Sequence, residues 1–255
     1  MILSRFAQSV LSLGGSTWKT LSDWFGRRPR PFPVFLRPGS PPVFPDPADA
    51  DSHGLIAVGG DLSPDRLLAA YRIGIFPWYD ASTPILWWSP DPRAVFELDG
   101  FHVSRRLART VRSGKFRVTF DAAFAEVIEA CSQREEGTWL TRAMKDAYVE
   151  LHRLGHAHSV EVWVDDALAG GVYGVASGGL FAGESMFARV RDGSKVALVH
   201  LFEHLRERGF VLFDAQYLNE HTESLGGREI SREAYLGRLA EALGREVPLS
   251  WRQVS

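Results

Sequence analysis

Residues 158–187, HSVEVWVDDALAGGVYGVASGGLFAGESMF, narrow the choice of fold more than any other stretch of this chain. HSVEVWV alternates at the period of a strand and runs into Asp165-Asp166, a turn pair, after which LAGGVYGV and GGLFAGESMF continue the pattern. Connections this short join antiparallel neighbours, so the stretch predicts a meander. Beyond it, Leu198, Leu201, Phe202 and Leu205 line one side of a helix expected to be capped by Ser194 and ended by Gly209, and FVLFDAQYL follows as a strand. Before it, Asp121 is expected to cap a helix carrying Phe124, Val127, Ile128 and Cys131. Thr141 is expected to cap another, carrying Met144, Tyr148, Leu151 and Leu154 and ended by Gly155. Helices among mostly antiparallel strands predict an α+β fold with a mixed sheet.

Upstream the chain reads differently. Residues 1–31 look like a variable extension: Ser and Gln interrupt FAQSVLSL and Gly14-Gly15 follows, which is not the compact apolar core of a secretory signal. The proline-rich run RPRPFPVFLRPGSPPVFPDPADAD must be extended, because each proline fixes its own φ and restricts its predecessor. Ser63 then predicts a helix cap with Pro64 at the first position, Leu67, Leu68 and Tyr71 on its apolar side and Gly74 at its end. Aromatics and prolines lead on to a turn at Pro90-Asp91-Pro92. The reading is a small N-terminal domain over 32–92 and a larger one over 93–255. No apolar run approaches the roughly 18 residues of a membrane span. The single Cys131 cannot close an internal disulfide, and it suits a reducing, cytoplasmic setting.

Candidate chemistry gathers in three places. Residues two apart share a strand face, so Asp214 and Gln216 are presented together at the end of an apolar strand. Glu184 sits beside Gly183 among apolar neighbours, where a carboxylate is costly unless a cation meets it; it either pairs with an internal Arg or awaits a cationic substrate. The third place is basic. A net charge of −2 gives no global field, yet residues 101–120 hold no acid and six cations. Ser104 and Gly114 bracket a short helix there, with Arg105, Arg109 and Arg112 on one face and Val103, Leu107 and Val111 on the other, which suits phosphate contact. The tryptophans Trp78, Trp87, Trp88 and Trp139 read by composition as structural mass. His152, His156 and His158 straddle a helix end and a strand start, which does not make a metal set. There is no phosphate loop, dinucleotide fingerprint, metal-spaced Cys pair or Gly-x-Ser-x-Gly elbow, so the expected chemistry uses no cofactor and no metal.

Taken together, GLIAVGGDLSPDRLLAAYRIGIFPW, ILWWSPDPRAVF, EEGTWLTRAM, LHRLGHAHSVEVW, GESMF and FDAQYLNEHTESLGG resemble the bacterial leucyl/phenylalanyl-tRNA-protein transferase family from about Phe44 to about Leu239. The resemblance implies transfer of Leu or Phe, with Met as a further donor, from aminoacyl-tRNA to the α-amine of proteins beginning with Arg or Lys, which tags them as N-degrons. It also implies a GNAT-like C-terminal domain and a monomer. Asp214, Gln216 and Glu184 match the family's catalytic and acceptor-binding positions, with Asp214 orienting Gln216 and Glu184 attracting the cationic acceptor. Tyr71, Trp78 and Trp139 match positions lining the aminoacyl-adenosine site. Val172, Phe181, Met186, Leu201 and Phe213 would form the aminoacyl pocket, whose volume differs from members carrying Met and Phe where Val172 and Leu201 stand. Arg105, Arg106, Arg109, Arg112 and Lys115 would hold the acceptor stem. Two other readings share the fold: an acyl-CoA N-acyltransferase and a tRNA-binding module without catalysis. The first should show a Gly-rich pyrophosphate turn, and FARVRDGSKVALVHL has one glycine.

Overall fold

The computed structural model describes residues 33–133, 140–248 and Trp251. The residues before 33, Trp139 among 134–139, and the last few positions apart from Trp251 lie outside it, and with them the expectation for the N-terminal extension. The meander is present: β7 (Ala157–Val164), β8 (Ala167–Ser177) and β9 (Leu180–Ala188) are antiparallel neighbours, with Val160 opposite Val172 and Val172 opposite Met186. Helix α5 (Gly193–Arg208) then crosses the sheet and returns the chain as β10 (Leu212–Gln216), parallel to β9. With β5 (Arg93–Phe96), β6 (Arg117–Phe120) and β11 (Arg228–Ile230), these strands form a seven-stranded sheet in the order β11-β5-β10-β9-β8-β7-β6, antiparallel at every pairing except β9-β10. This is the expected α+β fold.

The pleat sends alternate residues of the meander to two different apolar layers. Val160, Val162, Val172 and Phe181 pack with Leu201, Phe202 and Leu205 of α5. Tyr173, Val175 and Ala182 pack the other way, against α3 (Phe124–Ser132) and α4 (Arg142–Arg153). That second layer continues into the N-terminal segment. There a four-stranded sheet has β1 (Val34–Leu36), β2 (Leu55–Gly59), β3 (Phe76–Pro77) and β4 (Leu86–Trp88) in the order β1-β2-β4-β3, and helix α1 (Pro64–Arg72), between β2 and β3 in the chain, shares its apolar cluster. Leu55, Trp87 and Tyr71 belong to the same apolar cluster as Phe124 and Tyr148. Among the described residues no helix is long and apolar enough to cross a membrane.

Two of the expected helix caps form: Ser104 accepts from the Leu107 amide and Thr141 from the Met144 amide. Three do not, because their side chains are taken elsewhere or the helix begins at another residue. Ser63 gives its hydroxyl to Asp61 at 2.6 Å. Asp121, at φ 55, lies before the helix start and instead accepts from the Ser159 amide at 2.9 Å, close to His158 Nδ1 at 2.8 Å. Ser194 is already inside α5, which starts at Gly193 after Asp192. Helix α2 (Arg105–Arg112) buries Leu107, but Val103, expected beside it, is 39% exposed, because it precedes the cap and the helix periodicity does not reach it.

The meander is held at close backbone range around Gly174, where an added Cβ would lie 2.2 Å from the Ala182 carbonyl oxygen and 2.6 Å from the Phe181 ring. Backbone cannot step aside there as a side-chain tip could. Gly174→Ala is expected to lower stability by about 1–3 kcal/mol, read from a denaturation midpoint; an unchanged midpoint would contradict this packing.

Candidate active site

The site is built where two adjacent strands lose their regular register. In the β8-β9 pairing Tyr173 faces Ser185 and Gly174 faces Gly183, so Glu184 is the extra residue of a bulge. In the β10-β5 pairing Asp214 faces Val95 and Gln216 faces Ala94, so Ala215 is the extra residue of another. Bulges bend a strand and re-aim a side chain. The parallel pairing of β9 with β10 ends at Ala182 and Asp214, and just past that point Gln216 Nε2 donates to Glu184 Oε1 at 3.0 Å. Residues 183–187 of β9 are half-buried where Leu180 to Ala182 are buried, so the site opens at this end of the strand.

Glu184 meets neutral partners. Tyr71 Oη lies 2.7 Å from its Oε1, Tyr148 Oη lies 2.9 Å from its Oε2, and the two tyrosine oxygens are 2.6 Å apart. Among the described residues no Arg or Lys comes within ion-pairing distance of Glu184, so of the two readings open in the sequence the internal Arg pair does not form. Burial pushes the Glu184 carboxyl up to about 7, against the hydrogen bonds from Tyr71 and Tyr148 and with help from the charge of Asp214. Burial, and then the carboxyl beside them, holds both phenols well above the ordinary tyrosine range.

Asp214 is buried and paired. Arg93 Nε donates to its Oδ1 at 2.8 Å and Arg93 Nη2 to its Oδ2 at 2.6 Å, while the Tyr235 hydroxyl of α7 (Arg232–Leu243) donates to Oδ2 at 2.8 Å. Arg93 lies between the rings of Phe76 and Tyr235, at 4.7 and 4.4 Å, and donates to the Gly74 carbonyl at 3.0 Å. Asp214 touches Gln216 only through the main chain, accepting the Gln216 amide at 3.0 Å. That bond holds Gln216 at φ 58, outside strand geometry, so the two side chains do not simply share a strand face: the carboxylate turns to Arg93 and the amide to Glu184. Asn219, which enters the sequence among these polar groups, caps the short helix α6 (Glu220–Ser224) reciprocally with Thr222.

The other expected site residues fall into three groups. Trp78 is half-buried at the mouth, its ring 5.2 Å from that of Tyr217, which follows Gln216; Trp139 lies outside the described residues. Val172, Phe181, Leu201 and Phe213 are buried together on the α5 side of the sheet, with Met186 packed against them from the half-buried end of β9. Arg105, Arg106, Arg109, Arg112 and Lys115 are all exposed along and just beyond α2. Arg106 has an acidic partner although residues 101–120 themselves hold no acid. Its guanidinium grips Asp192 through two bonds of 2.7 and 2.9 Å, and that acid comes from a distant turn which the local sequence cannot reveal.

Sequence reasoning missed Tyr148, Arg93 and Tyr235 as members of the site. Tyr148 falls on the apolar face of α4 and reads as core, although a buried tyrosine hydroxyl requires a partner. Arg93 carried a usable signal, a lone cation opening an otherwise apolar strand.

A family model described as Leucyl/phenylalanyl-tRNA protein transferase matches residues 95–240, and one described as its N-terminal domain matches residues 60–91. A curated leucyl/phenylalanyl-tRNA–protein transferase of Anaeromyxobacter sp. (strain K) is 56% identical over 215 residues, covering 83% of this chain and 92% of that protein. The protein of the same name from Stutzerimonas stutzeri is 55% identical over 205 residues, covering 79% and 91%. Among solved structures, a GCN5-related N-acetyltransferase from Kribbella flavida aligns over 66% of this chain and 61% of its own, at 9% identity and a TM-score of 0.37.

Proposed function

Because this chain belongs to the leucyl/phenylalanyl-tRNA–protein transferase family of aminoacyltransferases, we propose that it moves Leu or Phe, and Met as a further donor, from aminoacyl-tRNA to the α-amine of proteins beginning with Arg or Lys, tagging them as N-degrons. The observation that carries the acceptor half is a carboxyl at an open strand end whose partners are two phenols and an amide, with no cation in ion-pairing distance among the described residues. A cationic acceptor terminus supplies the missing charge.

The reaction is aminolysis of an ester. The acceptor α-amine attacks the aminoacyl carbonyl, the new C–N bond forms as the ester C–O bond breaks, and the proton lost by the amine leaves with the ribose oxygen. The ester is already activated and an N-terminal amine titrates near about 8, so positioning and modest proton handling suffice. Gln216 Nε2 is anchored on Glu184, which leaves the amide oxygen to accept a hydrogen bond from the attacking amine. Asp214, held by Arg93 and Tyr235, fixes the main chain of Gln216. The donor's adenosine would lie against Trp78, beside Tyr71, and its side chain against Met186 and the layer of Val172, Phe181, Leu201 and Phe213 beneath it.

The exposed cations of α2 would receive tRNA phosphates. Replacing Arg105, Arg109 and Arg112 together by Ala is expected to lower the slope of log affinity against log salt for charged tRNA by about 2, since each phosphate contact contributes roughly 0.7–0.9. Arg106→Ala alone should change that slope less than any of the three, because Arg106 is committed to Asp192. An unchanged slope in the triple variant would remove this surface from the account.

A further inference from the structure

Three oxygen–oxygen contacts join Tyr71, Tyr148 and Glu184, at 2.6, 2.7 and 2.9 Å, and each needs one proton. The two phenols bring one proton each. With an ionised carboxylate the ring is one proton short, and one close pair of oxygens would face each other with lone pairs only. A carboxylic acid supplies the third. Glu184 Oε1 already accepts from Gln216 Nε2, so the acid proton belongs on Oε2. In the acid form the Tyr148 contact is the reverse of its direction with a carboxylate, and the bonds run one way round: Glu184 Oε2–H to Tyr148, Tyr148 O–H to Tyr71, and Tyr71 O–H to Glu184 Oε1.

We propose that Glu184 rests as a neutral acid that closes this ring, and that a cationic acceptor terminus binds by replacing the acid proton, one positive charge for another. The inference rests on the acceptor reading given above. The exchange balances: the carboxyl O–H breaks, its proton leaves to solvent, and the carboxylate gains the incoming cation. The site is therefore neutral before and after binding, which avoids an uncompensated carboxylate among buried groups. The groups facing Glu184 agree. Tyr71 comes from α1 and Tyr148 from α4, and the Tyr148 ring packs on Tyr173 of β8. Asp214 on β10 adds negative charge, which favours the neutral acid, while the nearby cation Arg93 is committed to Asp214.

Two measurements on the full chain test this. The first is infrared spectroscopy of the free protein across pH. A protonated-carboxyl C=O band should titrate near about 7 and be missing from Glu184→Gln, while any band from Glu161, a buried carboxyl also pushed up by burial, should persist in both. Identical bands in the wild type and Glu184→Gln would overturn the proposal. The second is calorimetric titration of a peptide beginning with Arg, in two buffers of different ionisation enthalpy. About one proton should be released per peptide bound roughly one unit below the midpoint and almost none well above it, with affinity weakening about tenfold per pH unit on the acid side. Binding of equal strength at both pH values without proton release would overturn the exchange and leave the acceptor reading intact. No binding at either pH would overturn the acceptor reading and this inference with it.

Discussion

Gln216→Ala is expected to fold and to transfer aminoacyl groups about 10²–10³-fold more slowly than the wild type, the usual cost of removing one group placed on the reacting centre. The variant loses the amide that bridges from β10 to Glu184 and the amide oxygen left to receive the attacking amine. It keeps the main-chain bond from residue 216 to Asp214, so the bulge should survive. The residue sits at φ 58, a conformation whose Cβ strain Gln and Ala carry alike, so the substitution adds no new backbone cost of that kind. Single-turnover transfer from charged tRNA, with circular dichroism to check folding, separates the two effects. Wild-type transfer by a folded Gln216→Ala would remove Gln216 from the mechanism.

Arg93→Ala is expected to destabilise the protein by about 3–5 kcal/mol, because it leaves Asp214 charged and buried without its partner. Both side chains are 1% exposed, so solvent cannot replace the lost bonds. A double variant that also replaces Asp214 by Leu should recover a substantial part of that loss, since no buried charge then remains. Transfer should still be impaired in the double variant, because the Gln216 main chain has lost its acceptor. Denaturant titration of the two single variants and the double variant checks the stability terms. A loss under about 1 kcal/mol in Arg93→Ala would contradict the burial of the pair.

The meander was readable because its alternation and short turns leave a chain few alternatives, and the helix that follows announced itself by Leu198, Leu201, Phe202 and Leu205. The residues of the candidate site were readable as types: Asp214, Gln216 and Glu184 are polar where a core strand should be apolar. Their arrangement was not. A bulge is one extra residue in a pairing, so it appears only when the partner strand is known, and both Glu184 and the Asp214-Ala215-Gln216 step depend on such a count. Caps failed for a related reason. Ser63 stands at the cap position but gives its hydroxyl to Asp61, and Asp121 has the right residue type two positions before the cap and is taken by the amide of Ser159, contacts that local sequence does not contain. Tyr148 was hidden by its own periodicity, since an apolar helix face looks the same whether or not one ring carries a hydroxyl into a site. Arg106 was hidden by distance, its partner Asp192 being 86 positions away.

The most direct test of the central claim is transfer of labelled Leu and Phe from charged tRNA to three peptides that differ only in beginning with Arg, Lys or Ala. The account predicts label on the Arg and Lys peptides, little on the Ala peptide, and loss of that preference in Glu184→Gln. Equal labelling of all three by the wild type would contradict the role given to Glu184, and no labelling of any, with charged tRNA bound, would contradict the proposed reaction itself.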